Sequence, residues 1–313
     1  MLKPLPRKQN VYLKDEKSLV AKVPHFNGDT LQFSLGTALE LLGGLDKSLR
    51  RGDEVWLKPN FNCSHAIPLS TEPGMLAAVI EILLDYGVRV VVGEMSGRAD
   101  WPTEKVVANL KILPFLKRYR VPFVNFQHEE WVEVEIGGEY WQVIRVPRCM
   151  YEAQKRIYLA NMRCHSSGRF TCSLKLGVGW ISAEDREILH SERDLTEARV
   201  AELNLAFQPD LVLVDGRRSV VEWAGRGPYV YPNLIMASGD MVAVDTEAVR
   251  TLKTFPAQKS RIQISEKDFA QLSVAQKHGL GSMDYLIVEA DAHLQTDETE
   301  NLDPASQAVR DIP

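Results

Sequence analysis

The chain has 313 residues, 45% hydrophobic and 25% charged, the proportions of an ordinary globular protein that needs no disulfide or metal staple to fold. Its 42 acidic and 37 basic side chains leave a net charge of −5, which argues against the concentrated basic surface of a nucleic-acid binder. No stretch approaches the roughly 18 consecutive apolar residues of a membrane span, residues 1–10 lack the apolar centre of a signal peptide, and Cys63, Cys149, Cys164 and Cys172 form no CxxC pair.

Residues 1–30 read as an N-terminal extension. A helix over 34–50 follows from Leu35, Ala38, Leu41, Leu42 and Leu45, with Gly43-Gly44 weakening its end. A strand from Asp53 through Val55-Trp56-Leu57 leads to an irregular loop at 59–70. A helix over 73–86 comes next, with Ser70 or Thr71 offering a capping hydroxyl and Pro73 suited to the first turn. Gly87 ends it, and the β-branched run 88–92 gives a buried strand closing on Gly93-Glu94. Strand, loop, helix, glycine and strand make a βαβ unit with parallel pairing.

A helix at 101–119 and a strand at 122–126 continue the alternation. Residues 131–146 alternate around Gly137-Gly138 as a β-hairpin. Strands follow at 156–159, 211–214 and 234–236, then 285–288. Helices are expected at 195–207, 241–254 and 266–278, and a glycine- and serine-rich loop at 165–180. The fold class expected is α/β, a mostly parallel, doubly wound sheet with an inserted β-hairpin layer. It occupies one domain over 31–290, divisible into lobes 31–126 and 156–290 around a hairpin insert at 127–150. The polar tail 291–313 reads as disordered.

Ligands of open α/β sheets gather at the carboxyl ends of strands. Four such ends carry chemistry here. Lys58-Pro59-Asn60 breaks the first strand, and Lys58 can project an ammonium into a crevice beside the donor and acceptor of Asn60. Glu94 and Asp215 each place a carboxylate at a strand end. The richest end runs through Asn161, Arg163, Cys164 and His165, followed by Ser173-Leu174-Lys175. His165 is suited to moving protons near neutral pH, and a desolvated Lys175 could be a base or a clamp for an anion.

Plainer accounts stand beside these. Lys58 could be a surface lysine before a turn, Glu94 and Asp215 turn or capping residues, and His165 a hydrogen-bonded structural histidine. Asp240 reads as the cap of the helix near Met241. Asp245, inside that helix, has no local reason to be there and is the better functional candidate. Cys164, His165 and Cys172 fall short of a closed four-ligand metal site, so no metal is expected. There is no Gly-x-Ser-x-Gly elbow, Walker loop or complete dinucleotide fingerprint.

Val55–Asn60, Ser70-Thr71-Glu72-Pro73, Gly93-Glu94, Leu159–His165, Ser173–Leu176, Pro209–Gly216, Gly225-x-Gly227-Pro228, Ala237–Asp245 and His278-Gly279-Leu280-Gly281 follow one another as an ordered series. This series resembles the domain of unknown function 362 family over residues 53 to 282. In the family's Pro-Lys-x-Lys block this chain has Met162-Arg163-Cys164, and Leu176 stands where an asparagine follows the lysine. Many relatives carry ferredoxin-like cysteine clusters. This chain has none, so the resemblance implies no iron–sulfur cluster here, and the cofactor is left unknown. A fainter similarity at fold level is to the nickel-pincer lactate racemase group.

Two readings of function stay open. One is an enzyme acting on a small polar or anionic metabolite. Lys58 and Lys175 would hold the anion and His165 would move a proton, with Asn60, Glu94, Arg163, Asp215 and Asp245 around the substrate. The other is a non-catalytic binding or accessory protein. The aromatic loop 223–231 points to a protein partner or a homo-oligomer. A small-molecule ligand, no nucleic acid, no membrane and a cytoplasmic location complete the expectations.

Overall fold

A computed structural model describes residues 1–97, 102–222, 228–256 and 262–290. The tail 291–313 and residues 223–227 of the aromatic loop lie outside the described residues. In chain order the elements are strands β1 (Leu13–Lys14) and β2 (Lys17–Pro24), helix α1 (Leu31–Leu41), β3 (Glu54–Lys58), α2 (Pro73–Tyr86) and β4 (Arg89–Glu94). Next come α3 (Thr103–Asn109), α4 (Ile112–Tyr119), β5 (Phe123–Asn125), and the hairpin β6 (Trp131–Glu135) and β7 (Val143–Pro147). The second half holds α5 (Arg148–Glu152), β8 (Lys155–Asn161), β9 (Arg163–His165), β10 (Arg169–Thr171), α6 (Ser173–Leu176), α7 (Ala183–Ser191) and α8 (Thr196–Leu203). It closes with β11 (Leu211–Gly216), β12 (Ser219–Val220), β13 (Tyr229–Val230), β14 (Leu234–Ser238), α9 (Met241–Lys253), α10 (Ala270–Lys277) and β15 (Tyr285–Glu289).

The main sheet is nine-stranded in the order β1-β2-β14-β11-β8-β3-β4-β5, with β15 also paired to β2. Strands β11, β8, β3, β4 and β5 are mutually parallel, and β14 is antiparallel to both β11 and β2. The small sheets β6–β7, β9–β10 and β12–β13 are antiparallel hairpins. The α/β reading and the inserted hairpin are therefore observed. Residues 17–24, read as part of an extension, instead form β2, a strand inside the main sheet.

Both faces of the sheet are covered, as strand alternation requires. Leu57, Ile157, Leu159, Leu211 and Leu213 point to the face covered by α1, α2, α3 and α4. Trp56, Tyr158, Ala160, Val212 and Val214 point to the face covered by the β6–β7 hairpin, α7, α8, α9 and α10. Each buried Leu, Ile or Val contributes roughly 1.5–3 kcal/mol over exposure.

Helix ends follow local chemistry. Thr30 Oγ1 caps α1 by accepting from Phe33 N at 3.2 Å, and Gly43 and Gly44, at φ +93° and +91°, stop the helix well before residue 50. The helix expected at 101–119 is broken at Lys111, which sits in the left-handed region at φ 57°. Neither hydroxyl expected to cap α2 does so. Thr71 Oγ1 accepts from Asn60 N at 2.9 Å, and Ser70 Oγ donates to the Cys63 carbonyl.

The connections position the site. From β3 the chain winds through α2, β4, α3, α4 and β5 toward one edge, and the helices cover one face. From β8 it crosses through α6, α7 and α8 on the other face to β11, in the opposite direction. The carboxyl ends of β3 and β8 are therefore the place where the winding reverses, and a crevice opens there.

Candidate functional site

A cavity of about 300 Å³ lies at this reversal. Lys58 from the end of β3 and Glu94 from the end of β4 form its floor. Arg163 and His165 on β9, Thr171 on β10 and Lys175 on α6 form one wall, and Arg186 and His190 on α7 the other.

The floor is neutralised. Lys58 Nζ and Glu94 Oε2 form a buried ion pair, with Nζ also donating to the Pro59 carbonyl at 2.9 Å. Glu94 further accepts from the backbone N–H groups of Met95 at 2.8 Å and Phe61 at 3.3 Å. Burial lowers the Lys58 pKa and raises that of Glu94, and their mutual attraction opposes both shifts. Gly179 packs directly on this pair, where a Cβ would overlap both the Glu94 carboxylate and the Lys58 ammonium.

The walls are not neutralised. Arg163 is 5% exposed, and it donates from Nη1 to the Cys164 carbonyl at 3.2 Å. Among the described residues its Nε has no hydrogen-bond partner, and burial lowers its pKa to about 10. Among the described residues, the Lys175 ammonium has no hydrogen-bond or ion-pair partner. Burial, with Arg163 and Arg186 close by, lowers its pKa to about 7. Arg186 spends its donors on backbone, reaching the carbonyls of Val178 at 2.9 Å, Met95 at 3.1 Å and Ser96, yet keeps its charge at the cavity. The buried Thr171 hydroxyl also lacks a partner.

His165 has a fixed orientation. Its Nδ1 lies 3.2 Å from Ser167 N and 3.3 Å from Gly168 N, both of which can only donate, so the ring proton sits on Nε2. Burial lowers its pKa well below the ordinary value, and Lys175, Arg163 and His190 add to the shift. The ring is a neutral donor at neutral pH. His190 stands at the mouth, where partial burial beside Lys175 and Arg186 lowers its pKa to about 4.

Of the residues singled out in the sequence, Lys58, Asn60, Glu94, Arg163, His165 and Lys175 converge on this cavity. Asn60 is largely committed to the scaffold, with Nδ2 donating to the Leu69 carbonyl at 3.2 Å and to Asn161 Oδ1 at 3.3 Å. Asp215 and Asp245 do not line the cavity. Asp215 is held by a two-pronged ion pair with Arg217, at 2.9 Å to Nε and 2.8 Å to Nη2. Asp245 Oδ1 accepts from Ser173 N at 2.8 Å and Ser173 Oγ at 2.6 Å, and Oδ2 from Leu174 N at 3.0 Å. It thereby fixes the turn that carries Lys175. Sequence reading missed Arg186 and His190 because α7 was not recognised. The signal was Ser182-x-x-Asp185, a capping pattern in which Ser182 Oγ accepts from Asp185 N at 3.1 Å.

Among the described residues, no three His, Cys, Asp or Glu side chains gather as metal ligands, and no helix is long and apolar enough to cross a membrane. The family described as domain of unknown function (DUF362) matches residues 55–250. The chain belongs to this family. That match spans the whole cavity floor and both walls. Among curated proteins the chain is similar to the "Thylakoid-associated protein sll1697" of Synechocystis sp., 27% identical over 248 residues, 74% of this chain and 73% of that one. Among solved structures it is similar to the lactate racemase apoprotein from Thermoanaerobacterium thermosaccharolyticum, with TM-score 0.39 and 12% identity over 77% of this chain. The matched region spans 59% of that racemase chain.

Proposed function

We propose that the crevice binds a small anionic metabolite, with a carboxylate as its recognised group, and that the protein acts on it as an enzyme. The observation that carries this reading is Arg163, a buried guanidinium that among the described residues has no carboxylate partner and an unsatisfied Nε. An uncompensated buried charge is costly, whereas one that receives a ligand carboxylate gains short, charge-assisted hydrogen bonds. The charge count agrees. Lys58 and Glu94 cancel, so Arg163, Arg186 and, when protonated, Lys175 leave the cavity positive.

In this reading the role of His165 changes. With Nδ1 facing backbone N–H groups, His165 offers Nε2–H to a ligand oxygen as a hydrogen-bond donor, which makes it an electrophilic aid rather than a base. Lys58 and Glu94 fix the floor, and Asn60 holds the loop above it. Urea unfolding at pH 7 with and without glycolate tests the binding, with Arg163→Met as control. Wild type should gain about 2.7 kcal/mol of stability at a hundredfold excess over Kd, and the variant almost none. Equal stabilisation of both proteins, or of neither, would sink the reading. Fractionation of native cells addresses location. The cytoplasmic expectation requires the protein in the soluble fraction, whereas sedimentation with membranes would align it with the thylakoid-associated relative.

A further inference from the structure

Two lysines face the cavity, Lys58 at the end of β3 and Lys175 on α6, and among the described residues only Lys58 is neutralised. Lys58 faces Glu94. Lys175 faces Arg163 and His165 from β9 and Arg186 and His190 from α7, with no carboxylate among them. Glu94, the one acidic side chain among the described lining residues, has its charge committed to Lys58. Asp245 sits beneath the turn rather than in the cavity, and its oxygens are taken by Ser173 and Leu174. Lys175 is thus an amine hemmed in by cations. A lysine desolvated beside another cationic group gives up its proton and becomes a nucleophile toward carbonyl carbon.

Building on the anion-binding reading, we infer that Lys175 forms an imine with a 2-oxo acid whose carboxylate is held by Arg163. The Nζ lone pair makes the C–N bond to the keto carbon. The two amine protons leave with the carbonyl oxygen as water, and a C=N bond remains. His165 Nε2–H and the unpartnered Thr171 hydroxyl are the available donors to the departing oxygen. The near-neutral pKa of the amine supports this role without being needed to locate it. Asp245 is the positioning residue, since it anchors the two backbone N–H groups before Lys175.

The test uses the full chain at pH 7 with glyoxylate and cyanoborohydride, which reduces an imine to a stable carboxymethyl amine. Peptide mapping should find Lys175 modified about tenfold faster than the exposed Lys3 or Lys277, because its amine is desolvated beside Arg163 and Arg186 and its substrate is held by Arg163. Glycolate, which has the carboxylate but no carbonyl, should slow the reaction. Lys175→Arg should remove that adduct and leave labelling elsewhere unchanged. Modification of Lys175 no faster than Lys3, or without protection by glycolate, overturns the inference. Glycolate stabilisation measured on the same sample separates the two claims. Stabilisation without an adduct at Lys175 overturns the imine and leaves the anion site standing, whereas neither effect overturns both.

Discussion

Two places in this molecule gather segments typical of the family, at opposite ends of the sheet. At the end of β14, which runs against its parallel neighbours, Asp240 accepts from Ala243 N at 2.9 Å, Ser282 N at 3.0 Å and Ser18 Oγ at 2.7 Å. Gly281 lies so close that a Cβ there would overlap the carboxylate. One side chain ties the start of α9, the glycine turn before β15 and the edge of β2, and its carboxylate is well supplied with donors. At the ends of β3 and β8, by contrast, Arg163 Nε and Thr171 Oγ1 are left without partners among the described residues. Each such group costs about 1–3 kcal/mol. Family resemblance alone gives these two clusters equal weight. Hydrogen-bond satisfaction separates a joint from a site.

Substitutions can break that contrast. The largest effect is expected at the joint. Asp240→Ala should cost about 3 kcal/mol in urea unfolding, through the lost cap and the buried donors it strands, and leave glycolate affinity of the folded protein unchanged. A fall in affinity at intact stability would reverse the assignment of the two clusters.

The next effect depends on pH. Lys175 has a folded pKa of about 7 against an ordinary 10.5, so between these values the unfolded chain holds a proton that the folded chain lacks. Its cost to stability is therefore full below about pH 7 and fades as pH rises toward 10.5. Lys175→Met should be more stable than wild type by roughly 2 kcal/mol near pH 6, and the gap should close in alkali. A gap independent of pH would show that the ammonium is solvated.

Smaller effects sharpen the picture. Gly179→Ala should lose about 1.5 kcal/mol by forcing the Lys58–Glu94 pair apart, read as a lower urea midpoint. Arg163→Met should gain about 1 kcal/mol, because an unpaired buried charge is replaced by an apolar chain of similar length. Destabilisation of that variant would mean that the guanidinium serves the fold.

Much of this was legible in the sequence where local signals agree. β3, α2 and β4 were readable from Pro73, Gly87 and the run 88–92, and the crevice from polar residues clustered at strand ends. What escaped depended on distant partners. β2 carries Lys17, Ser18 and Lys22 among its apolar residues and ends in Pro24, and nothing local says that it joins the main sheet. α7 is polar on most of its surface, so its capping signal had no apolar stripe beside it, and Arg186 and His190 went with it. Asp245 drew attention as an unexplained helical aspartate. Its explanation is contact with Ser173 and Leu174, 72 and 71 residues away in sequence.

The position of β2 carries one more consequence. Val20 pairs with Ser238 on one side and Ile287 on the other, so the chain's first long strand is completed by two of its last. During synthesis the parallel units around β3, β4 and β8 emerge while β2 is paired only at its start, Lys17 and Ser18 with β1. Until β14 and β15 leave the ribosome, Leu19, Val20, Ala21 and Val23 lack the partner strands that bury them, and an open edge of this kind is prone to wrong pairing.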